Sequence, residues 1–136
     1  MNPDELENLI RSRRSSLLLD AEKQVTNDLL QRITDAAQFA PNHRRTWPLR
    51  VAAVTGVSRS VLGDTIADGM AMFGDDEAKV TKARTKYLRS PVVLVVASAQ
   101  GSSENETEEN KYAVAAGIQN MLLMAHSLGL AALWGS

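Results

Sequence analysis

The sequence predicts an α+β fold, a mixed sheet flanked by helices, and three observations lead there. Segments with apolar residues at three-and-four spacing are interspersed with short β-branched runs along the chain. Residues 91–98, Pro-Val-Val-Leu-Val-Val-Ala-Ser, form an unbroken run typical of a strand buried on both faces. Residues 113–134 are apolar on nearly every side, which places a helix at the centre of the fold or at a subunit interface. A length of 136 residues suits one domain over residues 1–136, large enough for a core without metal or disulfide staples.

The elements follow in order. Asn2 caps a short helix that begins at Pro3, with Asp4 and Glu5 near its positive dipole end. Leu6, Leu9 and Ile10 form its apolar face, and the pattern stops at residues 11–15. A second helix runs from a Thr26 cap to Phe39, with Leu29, Leu30, Ile33, Ala36 and Ala37 at helical spacing and Pro41 beyond its end. Residues 41–48 are a loop between two prolines. Arg50 to Thr55 reads as a strand ended by Gly56. Ser58 caps a third helix to about Met72, and a fourth, charged helix runs from Asp75-Asp76-Glu77 to about Leu88. After the strand at 91–98 comes a polar loop at 101–107, then the long helix from about Glu108 to Leu128, stopped by Gly129. Ala131 to Trp134 reads as a third strand. Three strands are few for four or five helices. The last leaves an open edge, to be covered by a partner subunit or by residues beyond this chain.

Composition excludes several function classes. Fifteen basic and 16 acidic residues leave a net charge of -1, so no global field draws in nucleic acid or an anionic membrane. There is no cysteine for a disulfide, a zinc–thiolate site or a thiol nucleophile. Six aromatic residues make base-stacking platforms an unfavoured reading. Residues 113–134 are long enough to span a bilayer, but Gln119, Asn120, His126 and Ser127 would each be costly in hydrocarbon. The acidic N-terminus begins no signal segment, so a cytoplasmic protein without membrane or nucleic-acid partners is expected. HExxH, GxSxG and phosphate-loop glycine patterns are all lacking, so no metal site and no catalytic side chain is assigned.

The basic residues are unevenly placed. Arg11, Arg13 and Arg14 lie in one short window and Arg44, Arg45 and Arg50 in another, and the stretches 11–15 and 43–50 contain no acid. The planar guanidinium fork matches phosphate oxygens, so the first window suits a phosphate grip; a solvated charged face is the other reading. His43, in the loop, is better placed for a ligand than His126, which reads as a satisfied helix or interface residue. A loop histidine without a role is the alternative for His43.

Taken together, Arg13-Arg14-Ser15, then Ala40-Pro41-Asn42-His43, then Gln119-Asn120-Met121-Leu122-Leu123 through Leu128-Gly129-Leu130 ahead of Trp134 resemble the nitroreductase family. More narrowly, they resemble its smaller, single-domain FMN-dependent members. The resemblance covers nearly the whole chain in the right order. It implies a homodimer with two FMN sites at the interface and the long helix in the dimer core. It also implies that Arg13, Arg14 and Ser15 contact the flavin, and that Trp134, Gly135 and Ser136 line it. His43, with Phe39 nearby, would reach the flavin held mainly by the other subunit. The implied activity passes hydride from NADH or NADPH through FMN to a small nitro or quinone-type acceptor. An FMN-binding or regulatory paralogue without turnover is the alternative. Two departures stand out. Trp47-Pro48-Leu49 replaces the family's acidic or amide residue followed by Pro-Trp. Family members also continue for some dozens of residues, so the fold is expected to be truncated before its last strand.

Overall fold

The computed structural model describes residues 2–135. Among them are five α-helices: α1 (Pro3–Ser12), α2 (Asn27–Ala36), α3 (Ser58–Met72), α4 (Glu77–Lys86) and α5 (Glu104–Ser127). Two strands, β1 (Leu49–Thr55) and β2 (Val92–Ser98), pair in one sheet. The amide of Ala99 donates to Pro48 O at 2.7 Å, so the end of β2 meets the start of β1 and the pair is antiparallel. The chain forms two compact units. One is Leu19–Val25 with Ala52–Val95, and the other is the rest of the described residues.

The larger unit holds α1, α2 and α5. The capping box expected at α1 is present: Asn2 Oδ1 accepts from the Glu5 amide at 2.8 Å, and the Asn2 amide donates to Glu5 Oε2 at 3.0 Å. Thr26 Oγ1 caps α2 by accepting from the Leu29 amide. The second helix then tightens into a 3₁₀ turn over Ala37–Phe39 instead of continuing as α-helix. Its buried Ile33 and Ala37 face α5, where Asn110, Val114, Gly117, Met121 and Ala125 form one buried stripe. A β-carbon on Gly117 would lie 3.2 Å from that of Ala37, so the small pair sets how closely these elements approach. Within one chain α5 is therefore buried along a stripe and half-buried on most other faces, whereas the sequence predicts burial all round. An apolar face identifies what avoids water, not which molecule covers it.

Helix α5 also begins earlier than its apolar pattern suggests. Residues expected to be loop form its first turn, because Ser103 Oγ accepts from the Glu106 amide at 3.1 Å while the Glu106 carboxylate accepts from the Ser102 hydroxyl and amide. Those bonds from Ser102, with a smaller contribution from Arg44, hold the Glu106 carboxyl below the ordinary carboxylate range. A depressed pKa contributes stability above the unfolded value of about 4.3 that is lost as pH falls through the folded value. Glu106→Gln should therefore melt below the parent protein at neutral pH. The gap should close on acidification, as thermal melts from neutral to acidic pH would reveal. A gap that widens in acid would rule the cap out.

The second unit packs α3 against α4. The turn before α3 uses Gly56 at φ +54°, and Val57 rather than the expected Ser58 takes the cap position, without a side chain able to cap. Ser58 is instead the first helical residue. Asp76 caps α4 by accepting from the amides of Ala78 and Lys79, and a 3₁₀ turn over Tyr87–Arg89 completes the expected helix. At the crossing, Gly63 meets the backbone of Ala83 and Arg84, and Ala67 is fully buried. Arg84 bridges the exposed Asp64 and Asp68 on α3.

Two strand expectations need correction. Every residue of β2 is half-buried or exposed, Val95 being 42% accessible, so β2 is not covered on both faces within this chain. A β-branched run reports a strand's preference for cover, and a pair of strands supplies little of it. The expected third strand at 131–134 is reduced to one parallel bridge between Ser15 and Ala132, with the Ser16 amide donating to Ala132 O at 3.4 Å. A ladder needs successive paired residues, and the segment after Ser16 turns away into irregular structure.

Candidate functional site

The segment after α1 and the segment after α5 meet around a cavity of about 320 Å³. Its position follows from how α5 ends. Gly129, at φ +74°, lets the chain reverse: its amide donates to His126 O at 3.0 Å, and the Leu130 amide donates back to Ala125 O at 2.9 Å. This pair of bonds is a Schellman motif, which few residues other than glycine allow. The reversed segment then runs beside residues 15–16 through the bridge at Ala132. Ser12, Arg13 and Arg14 line the cavity from one side. Leu122 and His126 of α5, with Gly129, Leu130, Ala131 and Ala132, line the rest. The lining thus combines two arginines and a histidine with an apolar wall.

The two arginines are arranged differently. Arg14 is exposed, and its Nη1 donates to the backbone carbonyls of Arg11 and Arg13. Arg13 is half-buried, and its Nη1 is buried with no hydrogen-bond partner among the described residues. A buried guanidinium N–H without an acceptor is costly, and a small turn of the side chain toward an acceptor in the cavity would remove that cost. Beside it, His126 Nε2 lies 2.9 Å from Ser12 Oγ.

The loop expected to carry His43 is held elsewhere on α5. Asn110, 3% exposed, donates through Nδ2 to Ala99 O at 3.1 Å and accepts from Thr46 Oγ1 at 2.5 Å. Thr46 Oγ1 in turn accepts from Asn42 Nδ2 at 3.1 Å, and Asn42 Oδ1 accepts from the Trp47 amide at 2.8 Å. This network holds three residues in the left-handed region: Arg44 at φ 58°, Arg45 at 53° and Trp47 at 49°. Such conformations cost free energy for side chains larger than glycine and persist only where their surroundings impose them. The loop therefore projects His43, Arg44 and Arg45 into solvent.

Of the residues singled out from the sequence, Arg13 and Arg14 line the cavity, and Ser15 is bridged to its wall at Ala132. Trp134 and Gly135 follow that wall and are exposed. Ser136 lies outside the described residues. Phe39, 85% exposed, and His43 are not part of the cavity lining within one chain. Sequence reasoning underrated His126, which lines the cavity as well as being hydrogen-bonded. It also gave no role to Asn110, which anchors the loop network. A histidine in the last turn of α5, at the end of its apolar stretch, is the signal available for His126.

No helix among the described residues is long and apolar enough to cross a membrane. A family model described as the nitroreductase family matches residues 10–136. A curated protein of Escherichia coli K12 named "Putative NAD(P)H nitroreductase YdjA" is 28% identical over 134 residues, spanning 98% of this chain and 72% of that one. Among solved structures, a nitroreductase-like family protein from Bacillus cereus superposes with a TM-score of 0.79 at 29% identity, covering 96% of this chain and 69% of that one. A nitroreductase with bound FMN from Bacteroides fragilis superposes with a TM-score of 0.74 at 25% identity, covering 96% and 68%.

Proposed function

Because the chain belongs to the nitroreductase family, we propose that it is an FMN-dependent oxidoreductase taking electrons from NADH or NADPH for a small nitro or quinone-type acceptor. The observation that carries this reading is a cavity that sets Arg13 and Arg14 against an apolar wall, Arg13 having a buried Nη1 without a hydrogen-bond partner. A flavin mononucleotide offers both an anionic, acceptor-rich part and a flat apolar part, so the residues fit the group. FMN, when bound, accepts hydride from a nicotinamide and passes reducing equivalents to the acceptor. The chain's own work is then to bind and orient it. Arg13 and Arg14 supply fixed positive charge and fork-shaped donors, and Ser15 adds a hydroxyl. Trp134, Gly135 and Ser136 border the cofactor.

Phe39 and His43 belong to the site of a second copy in a homodimer. Two observations support that assignment. Asn110, which holds the His43 loop, and His126, beside Arg13, lie sixteen residues apart on α5, about 24 Å of helix. Most faces of α5 away from its buried stripe are also only half-covered within one chain, as a dimer core would require. Residues 1–136 act as one domain of the family fold in this reading.

The test begins with colour. The purified protein should be yellow and should bleach on addition of NADH or NADPH under anaerobic conditions. A yellow protein that does not bleach is a flavin binder without turnover, and a colourless one that takes up no FMN ends the reading. Arg13→Ala or Arg14→Ala should weaken FMN binding by about 1.5–3 kcal/mol, the scale of charged hydrogen bonds. The melting temperature of the flavin-free Arg14→Ala protein should hardly change, because Arg14 is exposed. A double variant that retains full flavin would reject the assignment of these arginines.

A further inference from the structure

The contact between His126 and Ser12 joins the end of α5 to the end of α1, 114 positions apart in the chain. Ser12 Oγ also reaches Leu9 O at 3.3 Å. A hydroxyl both donates and accepts, so the 2.9 Å contact forms with either tautomer of His126, Nε2–H donating to Oγ or Oγ–H donating to Nε2. Arg13, the next residue, is the cap of α1; its amide closes the helix onto Leu9 O, and its Nη1 is the buried donor without a partner. His126 also sits in the Schellman motif, its carbonyl receiving the Gly129 amide. One residue therefore touches both segments that frame the cavity: its side chain holds residue 12, and its backbone holds the start of residues 129–132.

We propose that His126 is a positioning residue for the anion-facing guanidinium of Arg13. Through Ser12 it fixes the last turn of α1, so that Arg13 leaves the helix at the cavity with its Nη1 buried. The acceptor that Arg13 awaits is an oxygen of FMN, which rests on the functional reading above. The clamp itself is a property of the chain and can be read without flavin. Without His126 the guanidinium is free to turn to solvent, where water satisfies it, and binding a ligand then requires ordering it again. Glutamine can place an amide N–H or carbonyl oxygen near where Nε2 stood, whereas alanine offers neither.

Two measurements on the full chain test this. In flavin-stripped protein, phenylglyoxal labelling of Arg13 is followed by peptide mass spectrometry in the parent, His126→Ala and His126→Gln, with the exposed Arg14 as internal reference. FMN affinity of the same proteins is measured by quenching of flavin fluorescence. The clamp predicts faster labelling of Arg13 relative to Arg14 in His126→Ala, together with FMN binding weaker by about tenfold or more. It predicts that His126→Gln restores both toward the parent. Unchanged labelling in His126→Ala overturns the proposal. So does loss of FMN affinity that glutamine fails to recover, or faster labelling with unchanged affinity. A parent protein that binds no FMN yet shows the labelling pattern keeps the clamp and ends the flavin reading. Riboflavin, which lacks the phosphate, separates two supporting outcomes: a defect confined to FMN places Arg13 at the phosphate, and an equal defect places it at the ring.

Discussion

Met121→Asp should yield no folded protein. Met121 is 5% exposed on the stripe of α5 that faces α2, so a carboxylate there would be buried among aliphatic side chains without a counter-ion. Leaving such a charge unpaired costs more than about 4 kcal/mol, against a total stability of roughly 5–15 kcal/mol for a typical domain. Lost packing adds to this. Met121→Leu keeps volume and polarity nearly constant and should cost less than about 1.5 kcal/mol. Expression of the two variants side by side, with far-ultraviolet circular dichroism of the soluble fraction, gives the comparison. A soluble, helical Met121→Asp protein would mean that α5 does not pack on α2 through this stripe.

The same substitution should have opposite signs at two positions of one helix. A β-carbon at Gly63 would run into the carbonyl oxygen of Arg84 and lie 3.0 Å from its carbon and 3.2 Å from Ala83 O. These are backbone atoms of α4, which cannot swing aside as a side-chain tip would. Gly63→Ala should force α3 and α4 apart and cost about 1–3 kcal/mol. At Gly69, six residues further along α3, nothing lies within 4 Å of the added carbon and the backbone is helical. Gly69→Ala should stabilise by roughly 0.5–1 kcal/mol, because alanine loses less backbone freedom on folding than glycine. Denaturant titration of both variants measures the pair. Shifts of the same sign would show that helix propensity, not the close crossing, governs Gly63.

The local rules were legible in the sequence wherever one short motif controlled the outcome. Asn2 with Glu5, Thr26 and Gly129 marked helix ends that the structure places there. The start of α5 was missed because its first turns are acidic and apolar periodicity begins only later, although Ser103 and Glu106 carry a capping-box spacing. Pairing partners were less legible. Whether residues 131–134 form a ladder depends on what Ser15 and its neighbours do more than a hundred positions away, and propensity holds no information about that. The candidate site divides in the same way. The arginine window was visible as acid-free basic sequence, but its meeting with residues 129–132 depends on a turn and a clamp between distant elements. Nothing in the alternation of residues 41–48 indicated three left-handed backbones, because arginine and tryptophan adopt that region only when a network such as Asn42–Thr46–Asn110 compels them.

The attachments near the two ends of α5 also set how far its length can drift over evolutionary time. Asn110 grips the loop that carries His43, and His126 grips the end of α1, so both must keep their angle around the helix as well as their height. One residue inserted between them would turn the far attachment by about 100° and lift it by about 1.5 Å. Whichever end stayed in register, the other would lose its partner. Away from its buried stripe, the middle of α5 should therefore tolerate exchanges of side chain but not gains or losses of residues. Length variation should collect instead in segments such as 17–25, where exposed backbone bears no such double constraint.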